Sequence, residues 1–588
     1  MKTELKFSPR YNWVQREAST SSRTESIIKS TSPTRVVEQL LRTRDYAILD
    51  PVVGDFGITS SHNRDKYKKG IDRIIEQIKA KKPILVYGDA DVDGVSATAV
   101  MVRTLEAIVG EEVKHVIPSR LTDGYGVTVP LVEKTLEGED PSSWLIVTVD
   151  CGTNDTEAIN TLVDKGYNFV VTDHHLPSDP NAPLPNCIVV NPKLLVDEKD
   201  DEYELSGCYV AAKVALSVME ELAPTKFDHY ANVAHVLVSL TTMSDCILIN
   251  DTARREFLAA RYNTDIHPGL RILFRECRAT DGQPIGTQFL NFYVNPKLNS
   301  AGRMGIPEIA YKLLAMYPPE NGDEVSDWYS YNGAEVYGLV ANLMGMNNER
   351  KKIEEGVMGE ALEMVHSDPD THHTAVVICK DSWHLGVCGI AAARMVELLG
   401  VPVLTIAGSE DGILKGSGRA PDEYDLHGIM ERCKEHLTQF GGHRGAVGFS
   451  LRPDQLVDFS NKFREETAKS ERVKPELLYD ATVKIKEMYD IRNLLAVDTF
   501  EPYGRGNLPV HFRIDNVRVV GMNKSRGSQF LFLEDPEDGA TLSVALFRGN
   551  ISHELEGHYV SVVICVNPLY FTGLASLEYK LIDMEVPK

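Results

Sequence analysis

Paired cysteines are missing from this chain. Its nine cysteines are scattered singly and no Cys-x-x-Cys occurs, which excludes a zinc ribbon and points to reduced thiols in a cytoplasmic compartment. Long apolar runs are also missing. None approaches the ~20 residues that span a bilayer, so no membrane partner is expected. The opening Met-Lys-Thr-Glu-Leu-Lys lacks the apolar stretch of an export signal. Positive charge is scarce: 62 Lys and Arg stand against 85 Asp and Glu, a net charge of −23. That argues against a protein coating nucleic acid with basic surface. It leaves room for a metal-dependent phosphoesterase, whose site is itself acidic, with a local basic groove on an acidic body. There is no internal repeat and no low-complexity tract.

What is present is ordinary globular composition, 43% hydrophobic and 25% charged over 588 residues, enough for roughly four domains. Residues 1–70 read as a polar lead-in, dense in Ser and Thr from Ser19 to Thr34, with a helix near Arg35–Arg44. From residue 71 helical and strand patterns alternate. Short apolar strands at 84–87, 113–117, 144–149, 168–171 and 187–190 are separated by helix-like stretches such as Ile71–Lys81 and Ala97–Ile108. Such alternation predicts a parallel sheet with helices on both faces. Helical segments follow at 209–247 and 254–274, and Gly338–Val365 reads as a long rigid connector. A second α/β pattern runs from Thr374 to about Ser470. After Val473 the character changes to short strands, the size of a small barrel.

The chemistry lies at the strand ends. Ile84-Leu-Val-Tyr-Gly-Asp-Ala-Asp-Val-Asp-Gly94 is a strand running into three alternate carboxylates. In α/β sheets ligands sit at the carboxyl ends of parallel strands. Three acids this close stay ionised only if a cation or basic groups offset their repulsion. Read alone, the stretch also admits the blander reading of a solvated acidic turn or a helix cap. A calcium loop is excluded, since no helix leads in and no Glu stands at the twelfth loop position. The neighbouring segments sharpen the reading. One strand ends in Asp150, the next in Asp173-His174-His175, and Asp245 stands in the apolar helical run Leu237–Ile249. Buried carboxylates are costly unless paired or metal-bound. Several of them with imidazole and no thiolate suit two divalent ions, Mn²⁺ or Mg²⁺. Two such ions can clamp an in-line phosphoryl displacement.

The set GDADVDG, VTVDCGT, VVTDHHLP and TTMSDC resembles the four motifs of the DHH phosphoesterase superfamily. IPSRLTDGYG from Ile117, NPKLNSAGR from Asn295, WHLGVCGI from Trp383, KGSGR from Lys415, Gly441-Gly-His443 and EPYGRGN from Glu501 are similar to its RecJ-like single-strand-specific exonucleases. The likeness runs from about residue 70 to the end. It implies a DHH catalytic domain over 71–335, a connecting helix over 336–366, an α/β DHHA1 domain over 367–472 and an OB-fold β-barrel over 473–588 that binds nucleic acid. It implies metal ligation by Asp89, Asp91, Asp93, Asp150, His174 and Asp245, and catalytic roles for Asp173 and His175. Sequence alone does not separate the two histidines. Arg120, Arg303, Ser417 and Arg419 occupy the places of phosphate-binding groups, Arg being bidentate and always charged. Tyr125 is placed to stack on a base, and His443 to touch substrate. Two departures stand out. Tyr87 replaces a metal-binding His found in some superfamily members, and Met-Ser-Asp-Cys replaces a more apolar fourth motif.

The activity implied is 5′→3′ degradation of single-stranded DNA to mononucleotides. Expected partners are single-stranded DNA and a single-stranded-DNA-binding protein or helicase. Two other readings compete. A small-molecule phosphodiesterase or pyrophosphatase would use the same metal site, but needs neither connector nor barrel. An inactive DHH-type scaffold would not need all four acidic motifs. Tyr559, Tyr570, Phe571 and Tyr579 read mostly as barrel core. The Phe500–Asn507 stretch is expected to pack on the DHHA1 domain, and the barrel to contribute nothing to the chemistry.

Overall fold

The computed structural model describes the chain outside residues 1–10, 19–23, 26–27, 30–32, 45–63, 178–180, 262–266, 280–283, 321–324, 368–373, 410–411, 471–475, 526–527, 548–550, 552, 572–573 and 587–588. The Ser/Thr-rich tract expected from sequence falls largely outside the described residues, and residues 64–70, read with the polar lead-in, are instead the start of a helix. The first two elements, β1 (Asn12–Gln15) and α1 (Arg35–Thr43), join the far end of the chain. Helix α2 (Arg64–Lys79) opens the first α/β unit.

That unit is a five-stranded parallel sheet of β2 (Ile84–Tyr87), β3 (Lys114–Val116), β4 (Leu145–Val149), β5 (Asn168–Thr172) and β6 (Ile188–Val190). The strand order is β3-β2-β4-β5-β6. β2 and β4 are buried throughout, because both faces are covered, as in all-parallel sheets. Ile84 and Val86 pack into the core on one face, and Leu85 and Tyr87 into the core on the other. Helix α3 (Val92–Val109) begins five residues earlier than the apolar spacing predicted. Asp91 caps it, accepting from the Asp93 and Gly94 amides. A side chain at Gly94 would meet the Asp89 carbonyl oxygen at 2.4 Å, so the turn requires glycine. Helix α4 (Gly207–Leu222) packs on the sheet and on α3, α5 (Phe227–Ser244) packs on α3 and α4, and α6 (Asn295–Arg303) lies beyond.

The long helix α7 spans Val325–Ser367, starting well before the expected 336. It is not a bare spacer. Val336, Leu339, Val340 and Leu343 belong to the first core, while Val357, Met358, Ala361 and Val365 belong to the core of the next unit. One rigid helix therefore carries both domains. The second unit is a mixed sheet, β10-β11-β9-β8-β7, formed by β7 (Val376–Cys379), β8 (Val403–Gly408), β9 (Leu414–Arg419), β10 (Gln439–His443) and β11 (Ala446–Leu451). Helix α8 (Leu385–Leu399) packs on it.

The C-terminal unit is a closed five-stranded barrel. Its strands are β14 (Val510–Ser525), β15 (Ser528–Glu534), β16 (Thr541–Phe547), β17 (Tyr559–Phe571) and β18 (Leu574–Glu585). They run β14-β15-β16-β18-β17 and close by β14–β17 pairing, with β16 parallel to β18. This is OB-fold connectivity. The runs at 512 and 517 are a single strand, β14, with irregular register between Ile514 and Val517. β12 (Glu476–Tyr479), β13 (Ala481–Thr482) and α9 (Ile491–Thr499) flank it.

The lead-in proves to be part of this barrel domain. β1 pairs in parallel with β12. Val36, Leu40 and Leu41 of α1 sit in the barrel core. Arg44 and Asp480, both buried, form a two-pronged ion pair at 2.9 Å, and Arg44 also bonds the Asn507 side chain and the carbonyls of Leu508 and Pro509. Tyr559 is exposed rather than core, and Tyr579 is half-buried against the core. The Tyr570 and Phe571 side chains lie outside the described residues. Among the described residues no helix is long and apolar enough to cross a membrane.

Candidate metal centre and phosphate pocket

Parallel register brings the carboxyl ends of β2, β4 and β5 to one edge, and with them Asp89, Asp150 and Asp173-His174. Asp93 sits in the first turn of α3, where its carboxylate accepts from the Gly207 and Cys208 amides at 2.7 and 2.8 Å. The N-terminus of α4 thus turns its free amides and positive dipole end to this buried carboxyl, which burial nonetheless pushes up. Asp245 caps the C-terminus of α5. The Nε2 atom of His174 lies 3.2 Å from Asp150, 3.5 Å from Asp245 and 3.7 Å from Asp93. Three groupings that could hold a metal ion result: Asp89–Asp91–Asp150, Asp93–His174–Asp245, and Asp150–His174–His175.

The donor set fits divalent ions. Both ring nitrogens of His174 and Oδ1 of Asp150 are buried with no hydrogen-bond partner, and buried polar atoms are seldom left unmet unless a ligand takes them. The ligands are carboxylates and imidazole, the set expected for Mn²⁺ or Mg²⁺. Burial and the neighbouring acids Asp93 and Asp91 push the Asp150 carboxyl well up. Burial, followed by Asp93, raises Asp245 to about 7. The acids repel one another, and a divalent cation would offset that repulsion.

One cation is already present. Arg120 bonds Asp89, and its Nη2 reaches Asp91 at 2.8 Å. Burial acts against ionisation of Asp91, but Arg120 and the Gly94 amide outweigh it and hold the carboxyl below its usual range. Arg120, read from sequence as a phosphate-binding group, therefore belongs to the acid cluster, with its guanidinium carbon 5.2 Å from the centroid of the exposed Tyr125 ring. Tyr87 faces away and donates to the Gly126 carbonyl at 3.0 Å.

Asp173 and His175 form a hydrogen-bonded pair at the edge of the cluster, with His175 also a member of one grouping. The Asp173 carboxylate is buried and fully engaged. It accepts from the amides of Thr153, His174 and His175, and from His175 Nδ1 at 2.8 Å. Burial disfavours its charge, but these bonds prevail and its carboxyl is held below the usual range. Burial lowers and Asp173 raises the His175 imidazole, with a net rise to about 9. With Nδ1 on Asp173, Nε2 is the ring nitrogen of the half-exposed His175 left for another partner. Asn191 clamps the same loop, donating to the His175 carbonyl and Thr153 Oγ1. Sequence reading missed Asn191, Thr153 and the Gly207–Cys208 amides, because none has metal-binding or catalytic chemistry of its own. Asp173→Asn is expected to lower kcat by roughly ten- to a hundredfold with little change in KM, the usual cost of losing an orienting partner. Steady-state kinetics on a chain of unchanged melting temperature checks this, and an unchanged kcat would remove the orienting role.

The basic groups assemble across the two α/β units. Helix α6 is wedged between them. A side chain at Gly302 would strike the Ala90 carbonyl oxygen at 2.1 Å, and one at Gly386 the Arg303 carbonyl oxygen at 2.2 Å. These glycines permit the backbone contacts that seat Arg303. Burial lowers the Arg303 guanidinium to about 10, helped by the charges of Arg120, Arg350 and Arg419. Four guanidinium groups thus gather where the two units meet. Arg419 Nη1 lies 3.1 Å from Ser417 Oγ. Ala446 pairs with both Arg419 and His443, which places the exposed His443 at the same sheet end. Arg350, on α7, was not anticipated from sequence.

Residues 83–239 match the DHH family, N-terminal domain, and residues 372–469 match the DHHA1 domain. The single-stranded-DNA-specific exonuclease RecJ of Salmonella typhimurium is 30% identical over 421 residues, 67% of this chain and 69% of that protein. The chain belongs to the RecJ family. RecJ of Haemophilus influenzae is 27% identical over 82% of this chain and 84% of its own length. RecJ of Bacillus subtilis is 28% identical over 78% of this chain, which spans only 56% of that longer protein. A crystal structure of Thermus thermophilus RecJ in complex with Mn²⁺ shares the fold over 98% of this chain and 80% of that one. Its TM-score is 0.76 at 22% identity.

Proposed function

We propose that this protein is a metal-dependent exonuclease that degrades single-stranded DNA from the 5′ end to 5′-mononucleotides, serving DNA repair, recombination or replication. The observation that carries the reading is the join between two sites. A buried acid–imidazole cluster with unmet His174 nitrogens is linked through Arg120 to a pocket of arginines from both α/β units. The six ligands proposed are Asp89, Asp91, Asp93, Asp150, His174 and Asp245. Two ions held there would supply Lewis acidity and a hydroxide at neutral pH. The chain's own residues do the rest. Arg303, Arg419, Ser417 and His443 anchor the terminal phosphate, Tyr125 stacks on a base, and His175, held by Asp173, hydrogen-bonds the scissile phosphate through Nε2.

The barrel fits a strand grip. On β15, Leu531 and Leu533 point into the core while Phe530 and Phe532 point out. Their cross-strand neighbours are small or polar: Gly521, Asn523, Ser543 and Ala545. Two aromatic faces with little around them form a stacking platform on the strand-2 face that OB folds use. Replacing both Phe530 and Phe532 by alanine is expected to weaken binding of a long single strand by about 1–3 kcal/mol per base unstacked. Turnover of short oligonucleotides should be unchanged. Equal binding of long strands by variant and parent would remove the platform from the reading.

The test of the activity itself uses 5′- and 3′-labelled single strands, duplex, dinucleotide and pyrophosphate, each with Mn²⁺ and with EDTA. Mononucleotide release from the 5′ end of single strands alone, abolished by EDTA, is expected. Faster cleavage of dinucleotide or pyrophosphate would favour a small-molecule phosphodiesterase.

A further inference from the structure

The Glu501–Asn507 turn does not pack on the DHHA1 domain as its position suggested. It packs on the first unit, against the residues that follow Asp245. The chain leaves α5 at Asp245 and passes through Cys246 at φ +52°, a left-handed conformation uncommon for non-glycine residues. Four residues after Asp245, the Ile249 amide donates to the Arg505 carbonyl at 2.8 Å. Ile247 and Ile249 are buried. Gly504 and Gly506 let the turn come this close. A side chain on Gly504 would lie 3.1 Å from Ile249, and one on Gly506, at φ +86°, 2.5 Å from Leu248. The Arg505 guanidinium meets Glu204 at 3.3 Å.

The turn is itself rigidly held. Gly504 and Asn507 exchange backbone hydrogen bonds at 2.8 and 3.1 Å. Asn507 Nδ2 donates to the carbonyls of Phe500 and Pro502, and Asn507 Oδ1 accepts from the buried Arg44. Glu501 accepts from the Thr287 and Tyr503 amides, tying the start of the turn to the first unit. Every one of these turn groups belongs to the barrel domain, yet the loop they hold carries a member of the Asp93–His174–Asp245 group.

We infer that the Glu501–Asn507 turn is the positioning element for Asp245, so that barrel docking sets the affinity of the ion held by Asp93, His174 and Asp245. Sites of this kind tolerate displacements of only about 0.5 Å in a ligand. Four residues with a left-handed start transmit any shift of Ile249 directly to Asp245. The inference rests on the metal reading above, and it gives the barrel a part in the chemistry that its distance in sequence conceals.

The test is a Mn²⁺ titration of the full chain followed by electron paramagnetic resonance, with parent, Gly506→Ala, Asn507→Asp and Asp498→Ala compared. Asp498 pairs with Arg261 at another barrel contact, three residues before the turn. Gly506→Ala pushes Leu248. Asn507→Asp removes the two donors that close the turn while keeping its shape. Both are expected to weaken one of two Mn²⁺ sites by about tenfold, the lower end of the range for lost outer partners, and to leave the other unchanged. Activity lost at low Mn²⁺ should return at saturating Mn²⁺. Asp498→Ala should bind both ions as the parent does. Parent-like titration by both turn variants, or the same weakening in Asp498→Ala, would overturn the inference. A parent chain that binds no Mn²⁺ would instead overturn the metal reading.

Discussion

A His174→Ala chain is expected to fold, to bind Mn²⁺ poorly and to lose about a thousandfold or more in turnover of single-stranded DNA, some 4 kcal/mol of transition-state stabilisation. The ring stands within 3.7 Å of three carboxylates, and both its nitrogens are unmet. Its loss removes a ligand common to two of the three groupings. It does little to the core, because the strands beneath it are closed by their own apolar residues. Asp150→Ala should behave alike, being the other ligand shared by two groupings. Circular dichroism and melting temperature verify folding before turnover is measured. Parent-like rates in either purified variant would sink the metal assignment.

Arg419→Ala should discriminate between DNA ends. Use of 5′-phosphorylated strands is expected to fall ten- to a hundredfold relative to 5′-hydroxyl strands, since a charge-assisted hydrogen bond is worth about 1.5–3 kcal/mol. Arg419 bonds only Ser417 and its own strand, at 3.1 and 2.7 Å, and has no carboxylate partner among its described contacts. Burial lowers its guanidinium, so an arriving phosphate offsets a strain already present. Arg303→Ala should move in the same direction. Equal losses on both ends would show that Arg419 does not anchor the terminus.

Sequence by itself determined the strand-and-motif frame of this protein. Short apolar runs ending in acids are local patterns, and a parallel sheet brings such ends to one edge whatever separates them in the chain. That is why residues as distant as Asp89 and Asp173 could be named together from spacing and chemistry, whereas Asp245, which ends a helix, stood out only as an acid in an apolar run. The same local rules marked the second α/β unit and the barrel strands. Tertiary structure alone decided four other matters. It turned Asp173 inward, where amides and His175 consume its carboxylate. It brought Arg120 onto Asp89 and Asp91. It laid the polar lead-in along the barrel through β1–β12 pairing and the Arg44–Asp480 ion pair, across more than four hundred residues. It set the Glu501–Asn507 turn behind Asp245 rather than on the DHHA1 domain. None of these leaves a periodic trace, because each depends on which backbone groups and charges two distant segments present to each other once packed. A hydrophobic period reports which face of an element is buried, but not what buries it.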